Sequence, residues 1–351
     1  MIYPKFISKN SCIGVICPSG GASKQTKINK YKNAIKRFES LGFKLKLSKY
    51  LFKDNMGRST SAKNRAEEFN NYLKNKDVDL LLCATGGEFL VEMIPYVNFD
   101  LIRDNLKYVC GFSDPTGLLY PITTKYDVST IYGQNFSPFG MMDLHKSQEY
   151  FLDIITGKIL EEEGFSLYED EYSQDITGLE NYILTKKVYY KTLNNKSISC
   201  SGRIIGGCMD ILSELSGTKY DGINDFNEKY KKDGIIWYFD NCELSCEEVI
   251  RVLWKFNELG YFKYTKCVIF GRFGIESSNV GYDTLSCLKD SVLNDLGISV
   301  IYGSDISHKA PCLTIINGSI AHINLNKGKF NIKFELKWYN IEWRWEKWKV
   351  N

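Results

Sequence analysis

The sequence predicts an α/β protein with an N-terminal parallel-sheet βαβ domain and a C-terminal mixed α/β domain that contains antiparallel hairpins. Three observations lead to this prediction. The chain has 351 residues, which is long for one hydrophobic core. Strand-like and helix-like segments alternate over the first 140 residues, as in parallel βαβ units. The last 40 residues contain turn dipeptides between alternating runs, as in hairpins. We therefore expect domains at residues 1–165 and 201–351, joined by a connecting segment at 166–200.

The N-terminal strands are predicted from short buried runs that are rich in branched apolar residues. The predicted strands cover residues 11–17, 44–48, 78–84 and 107–111, with helices at 28–41 and 60–75 between them. Three of the four strands end in small or turn residues, in the sequences SGG, TGG and GFSDP. Because ligands bind beyond the carboxyl ends of parallel strands, these three ends should meet at one crevice.

The C-terminal part gives equally clear signals. Ser245 and Glu248 form a capping box before the apolar helical pattern that ends at Gly260. Further segments are a GRIIGG run that leads into a short helix, and strands at 234–239, 265–270 and 298–302. Two dipeptides, Asn317-Gly318 and Lys327-Gly328, predict hairpin turns. The acidic stretch within residues 145–200 predicts a connecting segment or an exposed loop. A further interpretation is that this stretch covers the active site.

Composition excludes several classes of function. The chain carries 45 basic and 42 acidic residues, so it lacks the electrostatic footprint of a nucleic-acid-binding protein. No run of about 18 apolar residues and no signal-peptide pattern occurs, so we expect a cytoplasmic protein without a membrane span. The 11 cysteines lie mostly in apolar runs and predict buried free thiols in a reducing compartment. Cys242 and Cys246 have no second ligand pair nearby, so no metal site is expected.

Ser113 is a candidate nucleophile. It stands in the sequence Gly-Phe-Ser-Asp-Pro, in the turn between a predicted strand and a predicted helix. Many hydrolases expose their nucleophilic serine on such a turn, and the backbone N–H of Asp114 would then face developing negative charge. The alternative interpretation is that Ser113 only caps the helix that follows.

Gly86 and Gly87 follow a buried strand in the sequence Thr-Gly-Gly. Glycines let the backbone approach a ligand and present its N–H groups, so this turn could complete an oxyanion hole or hold a phosphate. A plain strand-to-helix turn is the alternative. The chain contains neither of the glycine-rich nucleotide-binding motifs, GxGxxG and GxxxxGK[ST], which disfavours a nucleotide site.

A histidine base and a carboxylate partner can also be proposed. Of the three histidines, only His308 lies in an irregular loop after a predicted strand, the usual place for a general base. Asp240 ends the strand GIIWYF, where a carboxylate can orient a histidine. The alternative interpretation is that the Asp240 carboxylate only stabilises a turn or the N-terminus of a helix. Glu243 is a competing candidate for the residue that orients the histidine.

Three separated segments change the balance between these interpretations. The segments YVCGFSDPTGLL, GRIIGGCMDIL with IIWYFDNCEL, and GSDISHKAP resemble the motif blocks of the LD-carboxypeptidase family of serine peptidases. That family includes murein tetrapeptide carboxypeptidases and microcin C immunity peptidases. The opening PSG and the ATGGE segment also fit, and the similarity extends over about residues 10–335.

The resemblance implies a catalytic triad made of Ser113, Asp240 and His308. It also implies an oxyanion hole formed by backbone N–H groups of Asp114 and of Gly86 or Gly87. The family uses a glutamate where this chain has Asp240, which is one methylene shorter. The implied protein is a homodimer that needs no cofactor.

The resemblance further implies hydrolysis of an L,D-peptide bond, with release of the terminal D-alanine of a muropeptide-like tetrapeptide. One alternative is an amidase that acts on peptidyl- or aminoacyl-nucleotides, like the microcin immunity branch. That branch holds its ligand with an aromatic loop, and the segment LYEDEYSQD has tyrosines but no tryptophan. The other alternative is a binding protein that keeps the fold without turnover.

Overall fold

Two β-sheets with parallel centres organise the chain. The computed structural model describes residues 1–170, 176–275 and 278–337. In chain order, the elements of the first half are β1 (Cys12–Ile16), α1 (Gln25–Ser40), β2 (Lys44–Leu47), α2 (Ala62–Lys74), β3 (Leu80–Cys83), α3 (Leu101–Asp104), β4 (Tyr108–Gly111), α4 (Thr116–Tyr126), β5 (Ile131–Tyr132) and α5 (Lys146–Ile155). Short 3-10 helices lie at Leu90–Glu92, Ile94–Tyr96 and Ser137–Gly140.

The second half begins with short strands and continues with longer elements. They are β6 (Glu161–Glu163), β7 (Leu167–Tyr168), β8 (Lys186–Lys187), β9 (Lys191–Thr192), β10 (Ile198–Cys208), α6 (Met209–Leu215), α7 (Ile223–Tyr230), β11 (Ile235–Asp240), α8 (Cys246–Glu258), β12 (Thr265–Gly271), α9 (Thr284–Lys289), α10 (Val292–Asp295), β13 (Ser299–Ser304), β14 (Ile315–Ile316), β15 (Ile320–Asn326) and β16 (Lys329–Glu335).

The first sheet has the strand order β14-β5-β4-β3-β1-β2, and its strands β1 to β5 are parallel. Every residue of β3 and β4 is buried, as expected for strands that are covered on both faces. The carboxyl ends of β1, β3 and β4 lead into the PSGG, TGG and FSDP turns, which therefore share one edge of the sheet. This arrangement confirms the predicted parallel sheet.

The second sheet has the order β6-β16-β15-β10-β11-β12-β13-β9. Its centre, β10 to β13, is parallel, and antiparallel strands flank it on both sides. The GRIIGG run, which was predicted only to lead into a short helix, forms the second half of the long strand β10, and α6 follows it. The helix α8 begins with the predicted capping box, in which Ser245 and Glu248 each accept from the backbone N–H of the other. The predicted mixed α/β class of this part is confirmed.

The two sheets exchange short strands. The strand β14 comes from the C-terminal part but pairs with β5, whereas β6 and β9 join the second sheet. The helix α4 lies between the sheets and packs against α6, α7 and β10. The predicted domain boundaries remain a prediction, and these pairings show how closely the two parts are joined.

One of the two predicted hairpins is wrong. Ile316, just before Asn317-Gly318, pairs with Ile131 of the first sheet, whereas Ile320 pairs with Arg203 of the second sheet. The turn therefore carries the chain from one sheet to the other. The dipeptide specifies a tight turn, but the partners of the flanking strands are set by tertiary contacts.

The other hairpin is confirmed. Asn326 and Lys329 face each other across Lys327-Gly328, and both turn residues have positive φ, 49° and 77°, as a type I′ turn requires. The rest of the predicted C-terminal ribbons, residues 338–351, lies outside the described residues, as do residues 171–175 of the acidic stretch. Among the described helices, none combines the length and apolar character that crossing a bilayer requires.

Candidate active site

Ser113 lies on a strained turn between β4 and α4. Its φ is +70°, in the left-handed region that residues with a side chain rarely adopt. Gly111 permits the turn, because a Cβ there would lie 2.5 Å from the Cβ of Pro115. The amide of Asn135 exchanges two hydrogen bonds with the backbone of Phe112, at 3.0 and 3.1 Å. The turn therefore presents the Ser113 hydroxyl at the end of the strand, the arrangement of a nucleophile elbow.

His308 reaches Ser113 from the loop that follows β13. Its Nε2 lies 2.8 Å from Ser113 Oγ, although the two residues are 195 positions apart in the chain. The ring also packs against Phe112, with 4.7 Å between the ring centroids. This hydrogen bond joins the carboxyl edge of the first sheet to that of the second.

A buried ion pair holds the His308 loop. The guanidinium of Arg272, at the end of β12, donates to the carboxylate of Asp305 and to the carbonyl oxygens of Lys309 and Pro311. Asp305 also accepts from the hydroxyl of Tyr190 at 2.6 Å. The loop is thus fixed on both sides of His308, which keeps the imidazole in place.

Asp240 ends β11 and is completely buried. Its Oδ1 accepts from both nitrogens that His308 turns toward it, Nδ1 at 2.9 Å and the backbone N–H at 3.0 Å. Its Oδ2 accepts from the hydroxyl of Tyr132 at 2.7 Å. The structure therefore brings Ser113, His308 and Asp240 into one hydrogen-bonded line.

The charge of Asp240 determines how His308 titrates. Burial alone would lower the pKa of His308, because a charged ring is poorly solvated inside the protein. The Asp240 carboxylate, together with the Cys242 side chain, outweighs burial, and the pKa of His308 lies well above its ordinary value of 6.5. A proton taken up by the imidazole is thus stabilised where it would arrive from Ser113.

Gly86 lies against Ser113, and Gly87 lies against the PSGG turn. A Cβ on Gly86 would be 3.2 Å from Ser113 Oγ, and a Cβ on Gly87 would be 2.4 Å from the hydroxyl oxygen of Ser19. A side chain is therefore excluded at Gly87 and would be crowded at Gly86, where the TGG turn passes between the serine turn and the PSGG turn. Backbone N–H groups of these glycines can come close to a carbonyl that is attacked by Ser113.

The Asp114 carboxylate ties these turns together from behind. It is buried, and one of its oxygens accepts from the hydroxyl of Ser19 and, at 3.1 Å, from the backbone N–H of Leu90. Burial is the main cause that raises the pKa of Asp114 from 3.8 to about 6. One carboxylate thus fixes the PSGG turn and the 3-10 helix that begins at Leu90 against the residue that follows Ser113.

Glu243 does not take part in this line. It is exposed, and its backbone N–H donates to Asp210 at 2.9 Å. The carboxylate at hydrogen-bonding distance from His308 is that of Asp240.

The other two histidines have different environments. His145 caps α5 and accepts from the backbone N–H of Ser147, while His322 lies in β15 with its ring 3.1 Å from Glu335. All 11 cysteines are free thiols. Within the described residues, no group of histidine, cysteine or acidic side chains has the arrangement of a metal site.

Sequence reasoning missed Tyr132, Asn135, Arg272 and Asp305. Each contacts a partner that is distant in sequence. Asp305 lies within the GSDISHKAP segment, but its partners Arg272 and Tyr190 lie elsewhere in the chain. The acidic stretch does approach the site, because Lys309 contacts Asp170 at 3.0 Å, next to His308.

Both parts of the chain match domains of one known family. The N-terminal domain of the LD-carboxypeptidase family matches residues 13–133, and the C-terminal domain of that family matches residues 201–323. The microcin C7 self-immunity protein MccF of Escherichia coli is 28% identical over 335 residues, which cover 91% of this chain and 92% of that protein.

Two further likenesses extend over most of the chain. A putative carboxypeptidase of Vibrio cholerae is 25% identical over 349 residues, which cover 96% of this chain and 99% of the relative. A solved structure of MccF in complex with aspartyl sulfamoyl adenosine has a TM-score of 0.80 at 23% identity, covering 96% of this chain and 99% of that one, and shows the same fold. The two matched domains cover most of the sequence, and the chain belongs to the LD-carboxypeptidase family.

Proposed function

We propose that this protein is a serine hydrolase that cleaves an amide bond with Ser113 as nucleophile, His308 as general base and Asp240 as the orienting acid. The observation that carries the proposal is the line from Ser113 Oγ to His308 Nε2, 2.8 Å, and from His308 Nδ1 to Asp240, 2.9 Å. Both distances suit proton transfer through a histidine that a carboxylate holds in one tautomer.

The reaction proceeds in two steps. Ser113 Oγ attacks the carbonyl carbon while its proton passes to His308 Nε2; the C–N bond then breaks and His308 returns the proton to the leaving amine. Water next attacks the acyl-serine ester, gives a proton to His308 and releases the acid as the serine is reprotonated. These steps use only the named side chains and water, with no metal or organic cofactor.

Backbone N–H groups stabilise the tetrahedral oxyanion in this proposal. Asp114 follows the nucleophile immediately, and Gly86 lies against the Ser113 side chain. The N–H of Ser113 itself donates to the hydroxyl of Tyr132 at 3.3 Å, so it is already engaged. The donors are therefore assigned to Asp114 and to Gly86 or Gly87, and removal of such a donor typically costs about 100-fold or more in kcat.

The first candidate substrate is a muropeptide-like tetrapeptide whose terminal D-alanine is released. The family is named for LD-carboxypeptidase activity, and the Vibrio cholerae relative is named a putative carboxypeptidase. In this proposal the enzyme acts in peptidoglycan recycling in the cytoplasm, where the 11 free thiols would stay reduced. It is also proposed to be a homodimer, which light scattering on the purified protein tests directly.

A second candidate substrate is an aminoacyl-nucleotide, cleaved at its amide. The similarity to MccF extends over 91% of this chain, and a structure of MccF holds aspartyl sulfamoyl adenosine. The third hypothesis is a binding protein without turnover. It is motivated by Asp240, an aspartate at the position where the family has a glutamate.

Two experiments separate these readings. A fluorophosphonate probe should label the wild-type protein covalently and should not label Ser113→Ala. Release of D-alanine from a murein tetrapeptide is then compared with cleavage of aminoacyl sulfamoyl adenosines. Labelling without D-alanine release, but with cleavage of the nucleotide amide, would move the substrate to the second candidate. Absence of both labelling and turnover would support the third hypothesis, a binding protein without turnover.

A further inference from the structure

Tyr132 lies at the centre of the candidate site although no sequence motif marks it. It forms the second residue of the short strand β5, next to β4, and its side chain is completely buried. Its ring packs against Phe112 and Tyr238, with 5.0 and 5.5 Å between the ring centroids. This packing aims the phenol at the space between the two sheets.

The Tyr132 hydroxyl makes two hydrogen bonds that join the acid to the nucleophile. It donates to Asp240 Oδ2 at 2.7 Å and accepts from the backbone N–H of Ser113 at 3.3 Å. Because His308 occupies Asp240 Oδ1, the tyrosine holds the other oxygen and fixes the plane of the carboxylate. The same hydroxyl supports the backbone of Ser113 in its strained left-handed conformation.

We propose that Tyr132 is a positioning residue that locks Asp240 and the Ser113 turn into reactive geometry. This inference rests on the proposed function, because it assigns a role relative to the same three residues. It explains how an acid with a short side chain is held firmly: each of its oxygens has a fixed partner on a different element, Oδ1 on the His308 loop and Oδ2 on β5.

The protonation state of Tyr132 suits this role. Burial first, and then the Asp240 charge, hold the pKa of Tyr132 well above its ordinary value of 10.0. The phenol therefore keeps its proton over the working pH range and always donates to the carboxylate. Its hydrogen bond stabilises the negative charge of Asp240 and so moderates the basicity that this charge confers on His308.

The test compares Tyr132→Phe with Tyr238→Phe. Both substitutions remove one buried hydroxyl from adjacent tyrosines, and the Tyr238 hydroxyl bonds Asn317 at 2.8 Å rather than a residue of the triad. Tyr132→Phe should lower kcat about 10- to 100-fold with little change in KM, in line with loss of a positioning contact. It should also move the acid limb of kcat/KM to higher pH, because the less stabilised carboxylate raises the pKa of His308 further.

Tyr238→Phe should leave both the rate and the acid limb close to wild type. Rates are normalised to the fraction of protein labelled by fluorophosphonate, so that misfolded protein does not count. Equal rates and equal acid limbs in the two variants would overturn the inference while labelling of the wild type left the proposed function intact. A wild type that the probe does not label would remove the proposed function and this inference with it.

A second measurement applies if Tyr132→Phe does not fold. A fluorinated tyrosine placed at position 132 keeps the shape and makes the phenol a stronger donor. The carboxylate is then better stabilised, and the acid limb should move to lower pH, opposite to Tyr132→Phe. An unchanged acid limb would contradict the role assigned to Tyr132.

Discussion

A single oxygen of Asp240 binds His308 at two points, the ring Nδ1 at 2.9 Å and the backbone N–H at 3.0 Å. The backbone bond holds the His308 loop against the carboxylate, and the ring bond orients the imidazole. The shorter side chain of aspartate therefore reaches the base directly. The departure from the family glutamate does not leave His308 without a partner.

Replacing Asp240 with the glutamate that the resemblance implies should not increase turnover. Asp240→Glu adds a methylene to a completely buried position whose carboxylate already has its partners. Overpacking of this kind costs about 1–3 kcal/mol of stability, and a shift of about 1 Å in a catalytic group can cost on the order of 100-fold in rate. We expect a lower kcat and a lower melting temperature, measured by substrate turnover and calorimetry. A glutamate variant with a higher kcat than wild type would show that Asp240 orients His308 less well than a glutamate does.

The pH profile should reveal the charge of Asp240. His308 must be neutral to accept the serine proton, and its pKa is raised above 6.5, so activity should fall as the pH drops through this raised value. Asp240→Asn removes the main cause that raises the pKa of His308, so burial is opposed only by the smaller effect of the Cys242 side chain and the pKa should fall. The acid limb of kcat/KM should therefore move to lower pH, while the maximum falls by up to about 10⁴-fold, as in other triads.

If the acid limb of kcat/KM does not move in Asp240→Asn, the group whose protonation lowers the activity is not His308. Glu243→Gln is the matched control, because Glu243 is exposed and lies three residues away. It should change neither the limb nor the maximum. A large loss in Glu243→Gln would return the orienting role to that glutamate.

The positions of the candidate residues could be predicted because strand ends carry local signals. The turn at Ser113, the end of the strand at Asp240 and the irregular loop at His308 each stand beside a buried apolar run. The rule that parallel strands end at one edge of a sheet accounts for the closeness of Asp240 and His308. Ser113 follows a strand of the other sheet, so its approach depends on how the two sheets pack. The roles assigned to these residues remain predictions that the variants above test.

The rest depends on contacts that no local pattern encodes. The strands β5 and β14 have two residues each, too few for an alternating pattern, so neither the exchange of strands nor the position of Tyr132 could be predicted. Tyr132 and Asp240 are 108 positions apart. Asn317-Gly318 was misinterpreted for the same reason, since its turn is local but its strand partners are not.

Gly86 offers a test of the close packing between the TGG turn and Ser113. A Cβ at this position would stand 3.0 Å from Ser113 Cβ and 3.2 Å from Ser113 Oγ, closer than most real contacts. Gly86→Ala should displace the serine or the loop and lower kcat by on the order of 100-fold. Gly20→Ala in the neighbouring turn is the control, because its Cβ would meet atoms only at 3.4 Å or more. Comparable losses in both variants would mean that the crevice tolerates no added methyl group at all.

The buried carboxylate of Asp114 should make the free energy of unfolding depend on pH. Its pKa in the native state is about 6, against 3.8 for an ordinary aspartate, so the native protein binds this proton more tightly than the unfolded chain does. The free energy of unfolding must therefore decrease as the pH rises through the interval between these two values. The charged native state carries a cost of about 3 kcal/mol from this group.

Asp114→Asn removes the titration while keeping the size of the side chain and an oxygen that accepts from Ser19 and Leu90. The free energy of unfolding of the variant, relative to that of wild type, should rise by about 1–2 kcal/mol between pH 5 and pH 7.5. It is measured from urea unfolding curves of the two proteins at each pH. Taking the difference cancels the other groups that titrate in this range, His308 among them. Asp77→Asn, at an exposed position, should show no such gain. A difference for Asp114→Asn that does not change with pH would mean that this carboxylate is already charged at pH 5, and that the Ser19 and Leu90 donors stabilise its charge more than burial opposes it.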